Sequence, residues 1–479
     1  MGNEWGEQVT FEVGHDIVEA AWASSGRHVV IVRYESALLD DDDREDAKRI
    51  VQIASVDNGE IVWSRVCGQT SPLVSPDGLL IAHLDRSRHL LVRDMITAKV
   101  LVEIDCSRPE MRNVRIQWSG DSDHFAVQFA SEARIIDARS GALMWTETNG
   151  SFLGWSPTNG HFAVSRSPRN WGGLAGVDIV DGKFFRTVHS LMAESPRLHW
   201  SPDAKRVAIM DSGEDPILRV LNVPSGRVII ELPVKVGFTS WSPDSTRLFF
   251  REGNADEAPT PSTYRLIDFA AGDPAQRRLS PSDESWPEAD RRFNGMSWSP
   301  DSRHVALMEF RREEDDAGQA WREKFRVLIL DTGTSGSFEE IPDAVSFIWS
   351  PNGDKGMACF DSDGVHRAEV RTVSDAEPLL VIEGSATEVW DAGIRNDVPF
   401  RCFALLNTDR SALDLWDPWR LRRMGSIPFT SDVEGNMSPT WRNVVWSPDG
   451  DRLLIRRTNS RAEIWGRVDT ADSPAARPS

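Results

Sequence analysis

The amino-acid sequence predicts an all-β protein, a β-propeller of about ten four-stranded blades. A short motif, typified by Trp446-Ser447-Pro448-Asp449-Gly450, occurs nine times along the 479 residues. Between the copies, apolar runs of four to seven residues alternate with Gly, Pro, Asp and Ser, which is typical of short strands joined by turns. Repeats of about 40 to 50 residues that each hold four strands indicate propeller blades.

The spacing of the motif predicts one further unit that lacks it. Successive copies lie 37 to 57 residues apart, but the last interval is 97 residues. Strand-like runs continue through residues 386 to 427, so a tenth unit is expected there. The copies start at Trp22, Val74, Trp118, Trp155, Trp200, Trp241, Trp298, Trp349 and Trp446.

The chemistry of the motif explains its recurrence. Ser-Pro-Asp-Gly favours a type I turn, because Ser accepts hydrogen bonds at the first position, Pro presets φ at the second, and Gly suits the fourth. We expect this turn to join the first strand of each blade, strand a, to the second, strand b. Eight of the 19 tryptophans precede the turn. Their rings are predicted to pack between neighbouring blades and to be structural.

The fifth unit shows the four strands of a blade, a to d, as the runs RLHW, KRVAIMD, ILRVLN and RVIIEL. Four histidines follow the motif at the start of strand b, a repeated position that indicates a structural role and not a metal cluster. They are His28, His124, His161 and His304.

Two features of the sequence resemble the WD40 and TolB-like β-propeller superfamily. They are the motif and the strand endings at Asp94, Asp137 and Asp417, each of which precedes a tight turn. The resemblance covers nearly the whole chain and implies the fold without implying an activity. Gly14-His15 is the only Gly-His pair ahead of a strand a. The polar network of regular WD40 blades is therefore expected to be absent.

The two ends of the chain are predicted to meet in the last blade. Its strands a to c are followed by a tail rich in Pro, Ala and Ser, so a fourth strand is missing. The run over residues 8–13 is expected to be that outer strand, which closes one ring over residues 1–468. The alternative is two smaller tandem propellers that divide near residues 233–237. Residues 469–479 are predicted to be a disordered tail.

Composition limits the function classes. The chain carries 74 acidic and 54 basic residues, a formal net charge of −20, which disfavours nucleic acid and anionic membrane surfaces as partners. The four cysteines contain no CxxC pair, the N-terminus lacks a secretory segment, and no apolar run is long enough to span a membrane. These observations favour a cytoplasmic location.

The connections between strands predict two different faces. We call the face with the a–b and c–d connections the turn face, and the face with the b–c and d–a connections the loop-rich face. Six insertions map to the loop-rich face, where recognition is expected on a rigid scaffold. They span residues 37–48, 167–174, 253–262, 280–294, 312–322 and 428–441.

These insertions carry acidic runs and tryptophans outside the motif. Acidic charge attracts a basic surface and tryptophans are typical anchors, so the insertions are the predicted docking surface for a protein with a basic surface. The competing interpretation is that the charges are merely solvated and the tryptophans cover their own loops. The predicted partner-binding residues are Asp40, Asp41, Asp42, Asp43, Trp171, Trp286, Glu313, Glu314, Asp315, Asp316, Trp321 and Trp441.

Catalytic motifs are missing from the sequence. It contains no GxSxG elbow, Walker loop, HExxH or dinucleotide fingerprint. The DSDG run at Asp361 to Gly364 lacks the length and closing Glu of a calcium loop, so it is predicted to be a b–c hairpin turn. We expect a non-catalytic scaffold with no metal or cofactor. The alternative is a propeller enzyme or small-ligand binder with carboxylates at the channel mouth, for which Glu19 and Glu388 are candidates.

Overall fold

The fold is seen in a computed structural model. It describes residues 5–12, 17–23, 26–34, 49–67, 72–85, 87–97, 99–108, 114–130, 132–158, 160–167, 175–253, 264–270, 274–279, 292–314, 321–333, 338–362, 365–373, 377–384, 390–391, 403–408, 411–428, 444–447, 450–456 and 461–467.

Ten four-stranded antiparallel sheets make up the described part of the chain, which contains no helix. Each sheet is one blade, and its strands lie in the order a, b, c, d. This confirms the predicted all-β propeller of ten blades. The chain divides into two compact units, one of residues 1–107 and 355–479 and the other of residues 108–354.

The first unit holds blades 1, 2, 9 and 10 and most of blade 8. Its strands in chain order are β1 Trp5–Glu12, β2 Ile17–Trp22, β3 His28–Tyr34, β4 Arg49–Ser55, β5 Ile61–Cys67, β6 Leu73–Val74, β7 Leu80–Leu84, β8 His89–Asp94, β9 Val100–Asp105, then β31 Lys355–Ser362, β32 Val365–Thr372, β33 Leu380–Gly384, β34 Trp390–Asp391, β35 Phe403–Leu406, β36 Ala412–Asp417, β37 Arg422–Pro428, β38 Val444–Trp446, β39 Arg452–Arg456 and β40 Arg461–Arg467.

The second unit holds blades 3 to 7 and the first strand of blade 8. Its strands are β10 Arg115–Trp118, β11 His124–Gln128, β12 Ala133–Asp137, β13 Leu143–Glu147, β14 Gly150–Trp155, β15 His161–Arg166, β16 Gly176–Asp181, β17 Arg186–Met192, β18 Pro196–Trp200, β19 Arg206–Asp211, β20 Ile217–Asn222, β21 Arg227–Leu232, β22 Val236–Trp241, β23 Arg247–Glu252, β24 Tyr264–Asp268, β25 Ala275–Leu279, β26 Arg292–Trp298, β27 His304–Glu314, β28 Trp321–Asp331, β29 Phe338–Pro342 and β30 Ala344–Trp349.

The N-terminal strand completes the last blade, as predicted. Strand β1 pairs antiparallel with β40, from Trp5 opposite Arg467 to Glu12 opposite Arg461. The strand begins three residues earlier than the predicted run and ends one residue earlier. The predicted unit without the motif is also present, as blade 9 formed by β34 to β37.

Five of the motif tryptophans link their blade to the preceding one through the indole N–H. The Trp241 indole N–H donates to the carbonyl of His199, the residue before the Trp of blade 5, over 2.9 Å. Trp22 makes the same bond to Val445 of the last blade, also over 2.9 Å. Blades 1 and 10 are therefore joined by the same type of bond as blades 5 and 6. These contacts agree with the predicted structural role of the rings. The same bond recurs from Trp155, Trp298 and Trp349.

The motif turn satisfies its own polar groups. In blade 6 the Ser242 hydroxyl donates to the Asp244 carboxylate over 2.6 Å and accepts the Arg247 backbone N–H over 2.9 Å. The last residue of the motif has a positive φ, which is +64° at Ser245 and +71° at Gly78. Glycine is favoured there because other residues are strained in that region. The turn therefore depends on the residue types that recur in the sequence.

The aspartates that end strand c form local polar networks with the c–d turns that follow them. The aspartates that end strand c accept backbone N–H groups of the following c–d turn, as Asp137 does from Ser140 over 2.7 Å. Burial opposes the charged form of Asp137, but hydrogen bonds from the Ser140 side chain and backbone outweigh it, so its pKa lies below the usual value. The same arrangement lowers the pKa of Asp181. These carboxylates hold turns in place.

Apolar side chains fill the spaces between successive blades. Between blades 5 and 6, Val220 and Ile230 pack with Trp241 and Phe250 in one buried cluster. Residues 233–237 lie between these two blades, and Val234 and Val236 contribute to the cluster. Blades 5 and 6 therefore pack directly against each other on either side of residues 233–237, and the division of the chain into domains stays a prediction.

Candidate functional site

Most of the predicted docking residues lie outside the described residues. This holds for Asp40 to Asp43, Trp171, Trp286, Asp315, Asp316 and Trp441. Glu313 and Glu314 end β27, and Trp321 begins β28. The structure therefore brings three of the twelve residues together, in the b–c connection of blade 7.

Both ends of the blade 7 insertion, residues 312–314 and 321–322, continue strands β27 and β28. The prediction of an irregular loop is wrong for these residues. Strands β27 and β28 are each 11 residues long and remain in register to the pair Glu314 and Trp321. Arg312 lies opposite Glu323 on the neighbouring strand, and the two side chains form an ion pair. Such cross-strand pairs stabilise a sheet, so the pattern extends the strands.

The hairpin presents both signs of charge. Arg312 Nε lies 3.1 Å from Glu323 Oε1, and the Arg311 guanidinium forms an ion pair with Glu313. Glu313 is thus a partnered carboxylate and not a free one. At this hairpin the expected acidic character is reduced by neighbouring arginines.

A polar pocket of about 260 Å³ lies on the loop-rich face between blades 4 and 5. One wall comes from the end of strand b and the start of strand c of blade 4, and the other from the d–a connection that leads into blade 5. The pocket is lined by Ser165, Arg166, Ser167, Ala175, Glu194, Ser195 and Pro196.

The d–a wall of this pocket is held by one buried carboxylate. Asp211 accepts the backbone N–H of Glu194 over 3.0 Å and that of Ser195 over 2.9 Å. It also accepts the N–H of Gly213 over 3.3 Å. A Cβ at Gly213 would collide with the Glu194 carboxylate, and the Glu214 N–H donates to that carboxylate over 3.1 Å. The Glu194 side chain is therefore fixed in position although it is exposed.

The opposite wall is built around a charge pair. Arg166 Nε lies 2.8 Å from Asp178 Oδ2, and Ser190 donates to the other Asp178 oxygen over 2.6 Å. A Cβ at Gly176 would lie 2.6 Å from the Leu191 carbonyl oxygen and 2.9 Å from Arg166 Nη2, which is too close for any other residue. Arg166 thus reaches the pocket with its charge already compensated.

A fully buried ion pair lies between blades 6 and 7, and sequence analysis missed it. Arg326 is 0% exposed and Glu309 is 1% exposed. Arg326 Nη2 lies 2.8 Å from Glu309 Oε2, and the Tyr264 hydroxyl donates to Glu309 Oε1 over 2.5 Å. Arg326 also reaches the half-exposed Glu340 over 3.1 Å. The sequence does not mark this pair, because both strands carry further charged residues and Tyr264 lies in the preceding blade.

The candidates for a catalytic channel stay untested. Glu19 lies in β2, but its side chain falls outside the description, as does the whole of Glu388. Among the residues that the structure does describe, no group of three or more His, Cys, Asp or Glu side chains could hold a metal ion. The DSDG run does form a b–c hairpin, in which Ser362 pairs with Val365.

The repeated histidines lie in separate blades. His161 stacks on Trp200 with ring centroids 6.5 Å apart, and His304 stacks on Trp349 at 5.9 Å. Burial lowers the pKa of both imidazoles, which disfavours their charged form. These contacts support the structural interpretation. Within the described ranges, no helix is long and apolar enough to cross a membrane.

Comparison with known proteins shows the fold and nothing finer. No protein-family model matches the chain, and no curated protein matches it. A crystal structure of a eukaryotic initiation factor is 13% identical, with a TM-score of 0.50, and the match covers 78% of this chain and 90% of that chain.

Two other solved structures are similar at lower TM-scores. The C-terminal WD40 domain of Sif2 is 12% identical, with a TM-score of 0.40, over 98% of this chain and 100% of that chain. The Dos1 propeller is 12% identical, with a TM-score of 0.39, and the match covers 96% of this chain and 95% of that chain. The ten observed blades confirm the predicted resemblance to β-propellers at the level of fold.

Proposed function

We propose that the chain is a non-catalytic, cytoplasmic recognition scaffold that docks protein partners on its loop-rich face. The observation that carries the proposal is the difference between the two faces. On the turn face, the motif serines and strand-c aspartates are committed to short turns. The six insertions expected from the sequence belong to the b–c and d–a connections, and the same two kinds of connection form the blade 7 hairpin and the polar pocket between blades 4 and 5.

The expected partner is a protein with a basic surface, because the insertions carry Asp40 to Asp43 and Glu313 to Asp316. Charge complementarity raises the rate of encounter and orients the partner, and aromatic residues such as Trp171 and Trp286 are typical anchors. The net charge of −20 also disfavours nucleic acid and anionic lipid as alternatives.

Charge reversal on the loop-rich face tests this proposal. Two variants replace Asp40 to Asp43, or Glu313 to Asp316, with lysine, and affinity purification with mass spectrometry compares the captured proteins. A control with fewer charge reversals replaces Asp57 and Asp123, two exposed acids on the turn face, with lysine. Loss of specific partners from the first two variants, with retention in the control, is expected. Unchanged partners in all three variants would contradict the proposal.

A further inference from the structure

We infer that the pocket between blades 4 and 5 binds a cationic side chain, an arginine or lysine of the docked partner. The inference rests on the proposed function for the identity of the occupant and on the pocket itself for its chemistry. The pocket has a suitable size, because about 260 Å³ admits one long side chain and does not admit a folded element.

The charges around the pocket favour a cation. Its lining holds one carboxylate, at Glu194, and one guanidinium group, at Arg166. Arg166 is compensated by Asp178 at 2.8 Å. Asp211 is occupied by three backbone N–H groups. The surplus is therefore negative and sits on the exposed side.

Glu194 is the side chain that would meet the ligand. Among the described residues no Lys, Arg or His side chain forms an ion pair with it, and the Glu214 N–H donates to it over 3.1 Å. A carboxylate has room for several donors, so Glu194 keeps acceptor sites free for a ligand. Its position is fixed before binding, because Asp211 holds its backbone and Gly213 leaves it space. Such preorganisation reduces the entropic cost of binding.

Arginine fits the lining better than lysine does. The lining includes Ser167 and Ser195 in addition to the Glu194 carboxylate, whereas the Ser165 hydroxyl is already bonded to the Ser151 backbone. A guanidinium group has five N–H donors in a plane, whereas an ammonium group has three. The planar guanidinium group can therefore donate hydrogen bonds to the carboxylate and hydroxyl oxygens at the same time.

Titration with small neutral-backbone probes tests the inference on the full chain. The probes are N-acetyl-arginine amide, N-acetyl-lysine amide and the uncharged isostere N-acetyl-citrulline amide, followed by saturation-transfer NMR at low ionic strength. We expect saturable binding in the order arginine, lysine, citrulline. Weakening by added salt is expected as well, because the contact is exposed.

Two variants assign the binding to this pocket. Glu194→Gln keeps an oxygen for the Glu214 N–H and removes the charge, and it should weaken arginine binding about fivefold, as for an exposed ion pair. Ala175→Leu fills the pocket, keeps all charges and should abolish binding. Glu377→Gln removes an exposed carboxylate far along the chain, in blade 8, and should change nothing.

Several outcomes would overturn the inference. They are equal binding of the arginine and citrulline probes, unchanged binding in Glu194→Gln or Ala175→Leu, or binding of inorganic phosphate in place of arginine. The result is independent of partner capture. If the probe binds as expected but no partner depends on the loop-rich face, then the proposed function fails and the cation pocket stands.

Discussion

The two halves of each blade are built on different principles. The half next to the turn face repeats one set of bonds in blade after blade, as Ser201 and Ser242 show with hydroxyl-to-carboxylate distances of 2.7 and 2.6 Å. The half next to the loop-rich face has polar contacts that differ between blades. Blade 7 buries Glu309 with Arg326, whereas blade 4 pairs Arg166 with Asp178.

This difference shows where the fold can vary. The repeated bonds define the blade, so their residue types return in the sequence at regular intervals. The individual contacts depend on which strand lies opposite, so they can change from blade to blade without loss of the architecture. A new binding surface is therefore expected in the half that is not repeated. Mutations should separate the halves by size of effect.

The largest effect is expected from the buried ion pair in the variable half. Arg326→Met leaves Glu309 buried without a cation, which should lower the free energy of unfolding by about 3–5 kcal/mol. Urea denaturation measures the change. The double variant Arg326→Met with Glu309→Gln should recover part of the loss, because no charge is then buried. Arg312→Met, in the exposed hairpin, is the matched control, and a loss as large as that of Arg326→Met would contradict the argument.

The second effect is acid sensitivity at His83, also in the variable half. Burial, with a smaller contribution from Arg93, lowers the pKa of His83 from 6.5 to about 4. The unfolded chain therefore binds this proton first as the pH falls. Stability is fully present above pH 6.5 and is lost progressively between pH 6.5 and 4, by about 3 kcal/mol at most.

Denaturation across this pH range measures the His83 contribution. His83→Gln keeps an acceptor for the Arg93 side chain, which lies 3.3 Å from His83 Nε2. The variant should show a flatter dependence of unfolding free energy on pH between 6.5 and 4. An identical slope in the variant and the unmodified chain would assign the acid sensitivity to other groups.

A smaller effect is expected in the repeated half. Ser242→Ala removes a buried hydroxyl and leaves the Arg247 N–H without its acceptor, which should cost about 1–3 kcal/mol. Ser201→Ala should cost about the same, because its hydroxyl makes the equivalent bonds in blade 5. Chemical denaturation of both variants provides the comparison. A marked difference between them would show that the repeats are not energetically equivalent.

The smallest effect concerns the last residue of the motif. Ala204 has a φ of +56°, so Ala204→Gly should relieve strain and raise the free energy of unfolding by about 0.5 kcal/mol after the entropic cost of glycine. Gly353→Ala should do the reverse, because a Cβ there would lie 2.9 Å from the Asp301 Cγ. Melting temperatures of the two variants should shift in opposite directions. A shift in the same direction would contradict the role given to φ.

The sequence predicted the repeated half well. The motif turns, the tryptophan packing, the closing strand β1 and the blade without a motif all depend on local residue types that recur. The sequence did not predict features that depend on contacts between residues on different strands, such as the buried ion pair and the length of β27 and β28. Glu309 and Tyr264 lie 45 residues apart, and the continued pairing of β27 with β28 needs the register of both strands.

The pocket between blades 4 and 5 was missed for the same reason. Its lining comes from three short segments, and Asp211, which holds one of them, belongs to the next blade. No interval in the sequence marks their approach. The predicted acidic face stays a prediction, since most of its residues lie outside the described ranges, and at Glu313 a neighbouring Arg311 changes the local charge.

The pairing of β1 with β40 has a consequence for synthesis on the ribosome. Strand β1 is translated before the other described strands, yet its partner is complete only when residues 461–467 have left the tunnel. Until then the newborn chain carries an uncovered strand edge, which is a template for unwanted association. The strand that covers β1 is thus translated after every other described strand, and a chain that stops before it should be prone to aggregate.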